Sequence, residues 1–283
     1  MVISGFVHSM TTKTDRVLAQ ARVVLADYRI DLEKHIWGSP AGKFYLAEKL
    51  VPLIPAHKIY VEPFAGGAQV LFRKEPTEVE VVNDMDPEIA FAFRFASKLT
   101  KRQLDNLRHR NWTSSRHHFN QLKEKRPVTD LERFYRFLYV SRFSWDRNRR
   151  DYAPANAGVT AQIIPRLERY VPRIRTIKVR CTDYGNVIRE FDGKDTFFFL
   201  DPPYKAYDAL SIVGPGHRDW DEERFLKTIR RIRGKFLVTY GTRSGPGLFQ
   251  GFHVRRVRHR GRVKGSTGGS RELTTLVVTN FQP

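Results

Sequence analysis

The apolar run Thr196–Leu200, closed at once by Asp201, Pro202, Pro203 and Tyr204, limits the fold more than any other stretch of the chain. Three phenylalanines and a leucine in succession describe a strand buried on both faces. The two prolines that follow have fixed φ and no N–H, so the ladder stops there and the backbone stays stiff. The same grammar recurs upstream. Lys58–Glu62, bounded by Pro55 and Pro63, predicts a short buried strand, followed by a helix over about 68–74, a strand over Val79–Val82 and a helix over roughly Pro87–Leu99. This β-α-β-α rhythm predicts an α/β fold with a mainly parallel sheet. Thr176–Arg180 and Phe236–Tyr240 add strands, Asp221–Ile232 adds a helix, and Phe252–Arg258 with Leu273–Asn280 reads as an antiparallel pair.

Other stretches differ. Asp15–Ile30, with Val17, Leu18, Ala21, Val24, Leu25 and Tyr28 at helical spacing and Thr14 as cap, predicts an amphipathic helix ahead of the core. A turn-rich segment from Gly38 to Gly42 leads into a helix over Lys43–Leu53. From Thr100 to Pro154 the chain is rich in Arg, His and aromatics, with helices expected over Ser114–Lys125 and Leu131–Arg142 and no strand. It reads as a mostly helical insert. A length of 283 residues suits one α/β core with one such subdomain.

The chain carries 50 Lys and Arg against 30 Asp and Glu, a net charge of +20. That excess goes beyond what solubility requires and points to a polyanionic partner. One cysteine, Cys181, excludes an internal disulfide, and no Cys/His spacing suggests zinc, so no metal is expected. Charges interrupt every long apolar stretch and the first ten residues lack a secretion signal, so the expected setting is the cytoplasm, without a membrane.

Asp201 to Tyr204 sit where a buried strand reaches the open edge of the sheet, the place where α/β folds bind ligands. Acceptors at Asp201 and the Pro202 carbonyl suit an amino group. An aromatic amine delocalises its lone pair into the ring, and two acceptors on its N–H groups draw the nitrogen toward tetrahedral geometry while Tyr204 stacks on the base. Gly66 and Gly67, after Val61, Glu62, Pro63, Phe64 and Ala65, form a strand–helix turn that lets backbone approach a ligand. The turn lacks the patterns of a phosphate loop or a dinucleotide fingerprint. Asp84 ends the second strand, either as an acid for ribose hydroxyls or, with Asp86, as a helix cap.

Taken in order, Trp37 with Gly42 and Lys43, then Glu62 to Gly67, Asn83 with Asp84, Thr182, Asp183 and Tyr184, and Asp201 to Tyr204 resemble the DNA adenine methylase (Dam-like) family, in the order of its alpha subgroup. The resemblance spans roughly residues 37–280. It implies a Rossmann-like methyltransferase fold, S-adenosylmethionine as methyl donor and the exocyclic amine of adenine in DNA as acceptor. The implied division is an N-terminal helical extension over 1–36, a catalytic domain over 37–99 and 155–283, and a target-recognition insert over 100–154. Carried over, Lys43 and Glu62 to Gly67 surround the methionine part of the cofactor, with Trp37 beside them. Asp84 holds the ribose, Asp183 and Tyr184 hold the cofactor adenine, and Asp201 to Tyr204 bind the target base, with Asp201 also touching the cofactor. Trp37 lies further from Lys43 than is usual in the family. The insert lacks the family's Asn-Arg and Gly-rich segment, so the recognition sequence is not inherited.

Arg255, Arg256, Arg258, Arg260, Arg262 and Lys264 occur in ten residues without an acid, which suits a basic hairpin or loop that grips phosphates, ahead of the alternative of a solvated charged face. Arg142, Arg147, Arg149 and Arg150, with Trp145 and Tyr152, form a second basic and aromatic cluster in the insert; Arg142, Arg147 and Arg149 are expected to bind DNA, with phosphate positioning, a base contact and simple surface exposure all open for each. The expected partner is double-stranded DNA with an adenine-containing site, from which the base must be flipped; no obligate protein partner is evident. Competing readings are an RNA adenine, cytosine-N4 or glutamine methyltransferase, or a nucleic-acid-binding protein that has lost catalysis. Restriction-modification, a replication signal and a mobile element are not distinguished by these residues.

Overall fold

The structure of the protein, a computed structural model, describes residues 36–37, 43–145, 148–155, 160–203, 220–242, 245–262 and 270–283. The helix expected over Asp15–Ile30, and also Arg147, Tyr204 and Lys264, lie outside the described residues.

Seven strands form one sheet: β1 Ile59–Glu62, β2 Val79–Asn83, β3 Lys178–Arg180, β4 Thr196–Leu200, β5 Lys235–Gly241, β6 His253–Arg262 and β7 Ser270–Thr279. Their order is β3-β2-β1-β4-β5-β7-β6, with β1 to β5 parallel and β7 antiparallel between β5 and β6. The order therefore reverses between β1 and β4. At such a reversal the helices leave opposite faces of the sheet and a crevice opens beyond the strand ends.

Eight helices of the described residues flank it: α1 Phe44–Leu50, α2 Pro87–Ala96, α3 Lys101–Arg108, α4 Arg116–Glu124, α5 Asp130–Arg142, α6 Ile163–Ile174, α7 Tyr184–Phe191 and α8 Glu222–Ile229. Strand alternation divides the core. Tyr60, Val82, Phe197, Phe199, Leu237 and Val277 face one side, where α1 to α6 pack; Val61, Val81, Phe198, Leu200, Phe236 and Val238 face the other, under α7 and α8. Both faces of β4 are covered, as its unbroken apolar run requires.

One polar network crosses the first side. Arg173 of α6 pairs with both oxygens of Glu80 on β2, and Lys74 reaches Glu80 Oε1 at 2.5 Å with its ammonium 4.4 Å from the centre of the Tyr60 ring. Burial alone would raise the Glu80 carboxyl, but the two cations hold it below its ordinary value.

The segment 68–74 departs from the helix expected there and forms successive turns. Ala68 has a left-handed φ of 47°, and the Leu71 N–H donates to Glu62 Oε1 at 2.8 Å in place of the carbonyl four residues back. A carboxylate thus intercepts the bond that would have begun the helix. Helices α3, α6 and α7 complete elements that the sequence reading left unassigned. Thr100 and Gln103 make a capping box at α3, and Ile163, Ile164, Leu167, Tyr170, Val171 and Ile174 give α6 its apolar stripe.

Candidate active site

The Leu200–Val238 register sets Asp201 beside Thr239, and this fixes the acid of the tetrapeptide. Thr239 Oγ1 donates to Asp201 Oδ1 at 2.7 Å, and Lys43 Nζ, just ahead of α1, lies 2.7 Å from the same oxygen. The Lys43 and Asp201 side chains are only 11% and 20% exposed, so the pair works in a low-dielectric setting. Pro202 is buried behind it. Thr239 was missed in the sequence; a hydroxyl fully buried inside the Phe236–Tyr240 run was the available signal.

Across the reversal, Gly66 takes a left-handed φ of 49°, a conformation that disfavours any side chain. Its N–H donates to Asp84 Oδ2 at 2.9 Å, while Asp84 Oδ1 accepts from the Asp86 N–H at 2.9 Å. Burial pushes the Asp84 carboxyl up to about 6, against those two N–H donors. Asp86 is the α2 cap, accepting from the Glu88 N–H at 2.9 Å. Asn83 joins three strand ends: its amide donates to the Pro63 and Thr182 carbonyls and its Oδ1 accepts from the Thr182 N–H at 3.0 Å.

Glu62 is buried, and its Oε1 accepts from Tyr60 Oη and the Leu71 N–H, both at 2.8 Å. Burial is the main reason its carboxyl rises to about 8. A raised folded value means stability that is full below about 4.5, the ordinary value, and declines as pH climbs through about 8. Thermal melts across that window should show the decline in the native protein and a flattened profile in Glu62→Gln, which keeps the acceptor. A profile unchanged by the substitution would show that Glu62 is not the titrating group.

Asp183 caps α7, accepting from the Gly185 N–H at 2.9 Å, and both its oxygens pair with Arg224 of α8. Burial works upward on Asp183, yet Arg224 and the Gly185 N–H hold it below its ordinary value. Tyr184 lies under Arg224, whose guanidinium carbon is 4.9 Å from the ring centre. Phe64, Trp220 and Phe225 surround Tyr184 at centroid distances of 5.2, 5.7 and 6.0 Å. Arg224, Trp220 and Phe225 were not singled out in the sequence.

Trp37 is buried, edge-on to Phe93 and Phe137, and its indole N–H reaches the Gly66 carbonyl at 3.4 Å. Arg149 pairs with Asp86, whereas Arg142 stands in the last turn of α5. Arg256 and Arg258 are exposed on β6, two strand positions apart, and Arg260 and Arg262 follow at the same spacing along the strand. Pairing of β5 with β7 ends at Thr275, but β6 and β7 stay paired out to Arg262 and Ser270. The basic hairpin therefore extends past the end of β5, the sheet edge that holds Asp201.

No group of three His, Cys, Asp or Glu side chains among the described residues is placed to hold a metal, and no helix among them is long and apolar enough to cross a membrane.

A sheet of this order, with a glycine turn after β1, an acid after β2 and an acid followed by two prolines after β4, is a Rossmann-like arrangement with its ligand edge at the strand reversal. Residues 40–244 match the family described as D12 class N6 adenine-specific DNA methyltransferase, and the chain belongs to it. It is 21% identical over 234 residues to the type II methyltransferase M.MjaIII of Methanocaldococcus jannaschii, covering 71% of this chain and 80% of that one. A crystal structure from Pyrococcus horikoshii, put forward as an RNA methyltransferase, covers 95% of this chain and 98% of its own at 10% identity and a TM-score of 0.37, too low to add weight. The family implies a methyl donor and a DNA substrate.

Proposed function

We propose that the chain methylates the exocyclic amine of an adenine flipped out of double-stranded DNA, with S-adenosylmethionine as donor. The observation that carries this reading is Asp201, fixed by Lys43 and Thr239 at the sheet edge and followed by Pro202 and Pro203.

The residues present fit the donor. A left-handed glycine turn at Gly66 gives close backbone approach, Asp84 offers a carboxylate to a ribose, and the aromatic group around Tyr184 offers flat apolar surface to a purine. Lys43, with Trp37 and Glu62 to Gly67, would border the methionine part. Asp183 would accept the purine amine, which requires Arg224 to share or release it. When bound, the donor supplies an electrophilic methyl group on a sulfonium sulfur. Asp201 and the Pro202 carbonyl accept the two N–H groups of the target amine, which concentrates its lone pair on nitrogen, and Tyr204 stacks on the base. Lys43 and Thr239 keep the carboxylate oriented, so little reorganisation is needed at the moment of transfer.

Residues 100–154 would recognise the target, with Arg142 and Arg147 near phosphates or bases, and the Arg256, Arg258, Arg260, Arg262 and Lys264 arm would grip phosphate. The name of the Methanocaldococcus jannaschii relative supports a role in restriction-modification, and the proposed setting for that work is the cytoplasm.

Calorimetric titration tests the donor site: S-adenosylmethionine should bind the native protein, and Asp84→Ala should bind it about tenfold or more weakly. Heat-free titration of folded native protein would remove the donor assignment. For the arm, Arg256→Ala and Arg258→Ala should each lower the slope of log affinity against log salt by about 0.9. Slopes unchanged in both would take the arm off the DNA path.

A further inference from the structure

We propose that Arg149, although carried by the insert, is a positioning residue for the cofactor site, holding through Asp86 the end of β2 where Asp84 meets the Gly66 turn. The inference rests on reading that edge as the S-adenosylmethionine site.

A closed circuit of contacts carries it. The Arg149 guanidinium pairs with Asp86 Oδ2 and lies 5.3 Å from the centre of the Phe137 ring. Phe137 packs edge-on against Trp37 at 5.6 Å, and Trp37 donates to the Gly66 carbonyl. The Gly66 N–H bonds Asp84 Oδ2, and Asp84 Oδ1 accepts from the Asp86 N–H, which returns the circuit to Arg149. Phe137 and Arg149 of the insert thus back the glycine turn indirectly, through Trp37 and Asp86.

The backbone agrees with that assignment. Arg149 has a left-handed φ of 59°, a conformation that is unfavourable for a residue with a side chain and persists only where the surroundings impose it. They do so here: the Arg149 N–H donates to Ser144 Oγ at 3.0 Å, and Ser144 bridges to Tyr152 while the Trp145 N–H reaches the Asp151 carbonyl at 2.7 Å. The turn aims the guanidinium inward, leaving the side chain 21% exposed against 12% for Asp86, so little of it faces a phosphate. Asp86 uses its other oxygen to cap α2, and the charge of Arg149 offsets a second carboxylate beside Asp84.

The test uses Arg149→Asn, since asparagine tolerates the left-handed conformation and the substitution removes the guanidinium without new strain. Its Kd and KM for S-adenosylmethionine should rise about tenfold, with KM for DNA within about twofold and the salt slope unchanged. Asp86→Asn should match it, the double variant should be no worse than either, and Arg149→Lys should recover part of the loss. The inference is overturned if cofactor affinity holds while DNA binding weakens and the salt slope falls by about one, which is the behaviour of a phosphate contact. It is also overturned if weaker cofactor binding only tracks a lower folded fraction in thermal melts. Native protein that binds no S-adenosylmethionine would instead end the functional reading itself, before any variant is compared.

Discussion

Asp201→Ala should lower kcat for methyl transfer by about 10²–10³, with binding of duplex DNA retained. The carboxylate is held at the edge of β4 by Thr239 and Lys43, so its acceptor is in place before the substrate amine arrives. That pre-orientation is what the substitution removes. Thr239→Val should cost less, since Lys43 still anchors Oδ1. Steady-state kinetics on an adenine-containing duplex check both. A kcat for Asp201→Ala within tenfold of the native value would mean that the amine is held by something else.

The second large effect concerns stability. Glu80→Ala should destabilise the fold by about 3–5 kcal/mol, because it leaves Arg173 and Lys74 buried without their common carboxylate. Total stabilities are only about 5–15 kcal/mol, so the variant would be marginal at best. Burial already lowers Lys74 to about 8 from 10.5, opposed by Glu80. Without Glu80 the neutral form is favoured more strongly, and the deficit should shrink as pH rises and Lys74 releases its proton in the folded state. Replacing all three groups by apolar residues of similar size, as in Lys74→Met with Glu80→Leu and Arg173→Met, should restore much of the loss. Denaturant melts read these differences, and a Glu80→Ala penalty below about 1 kcal/mol would class the network as a surface-like ion pair.

The buried strands were legible because their sequences leave few options. Phe197 to Leu200 and Ile59 to Val61 are apolar on consecutive residues, and prolines mark their ends. The sheet edge was legible through its glycines and acids: Gly66, Asp84 and Asp201 stand at three strand ends that the fold brings to one crevice. Three features were hidden because they depend on partners distant in sequence. Glu62 takes the Leu71 N–H and so unmakes a helix that local propensity favours. Thr239 matters only through the register of β4 with β5. Arg149 looks like one more arginine in a basic cluster, yet its partner is Asp86, 63 residues earlier in the chain. The basic arm was visible as composition, but its reach beyond β5 follows only from the β5–β7 and β6–β7 pairings.

The central claim is tested most directly by incubating the native protein with methyl-labelled S-adenosylmethionine and unmethylated duplex DNA, then digesting the DNA to nucleosides. The account predicts label in N6-methyladenosine of the deoxy series, at a short recurring sequence and absent with Asp201→Ala. Label confined to RNA offered in parallel, or to cytosine, would contradict it.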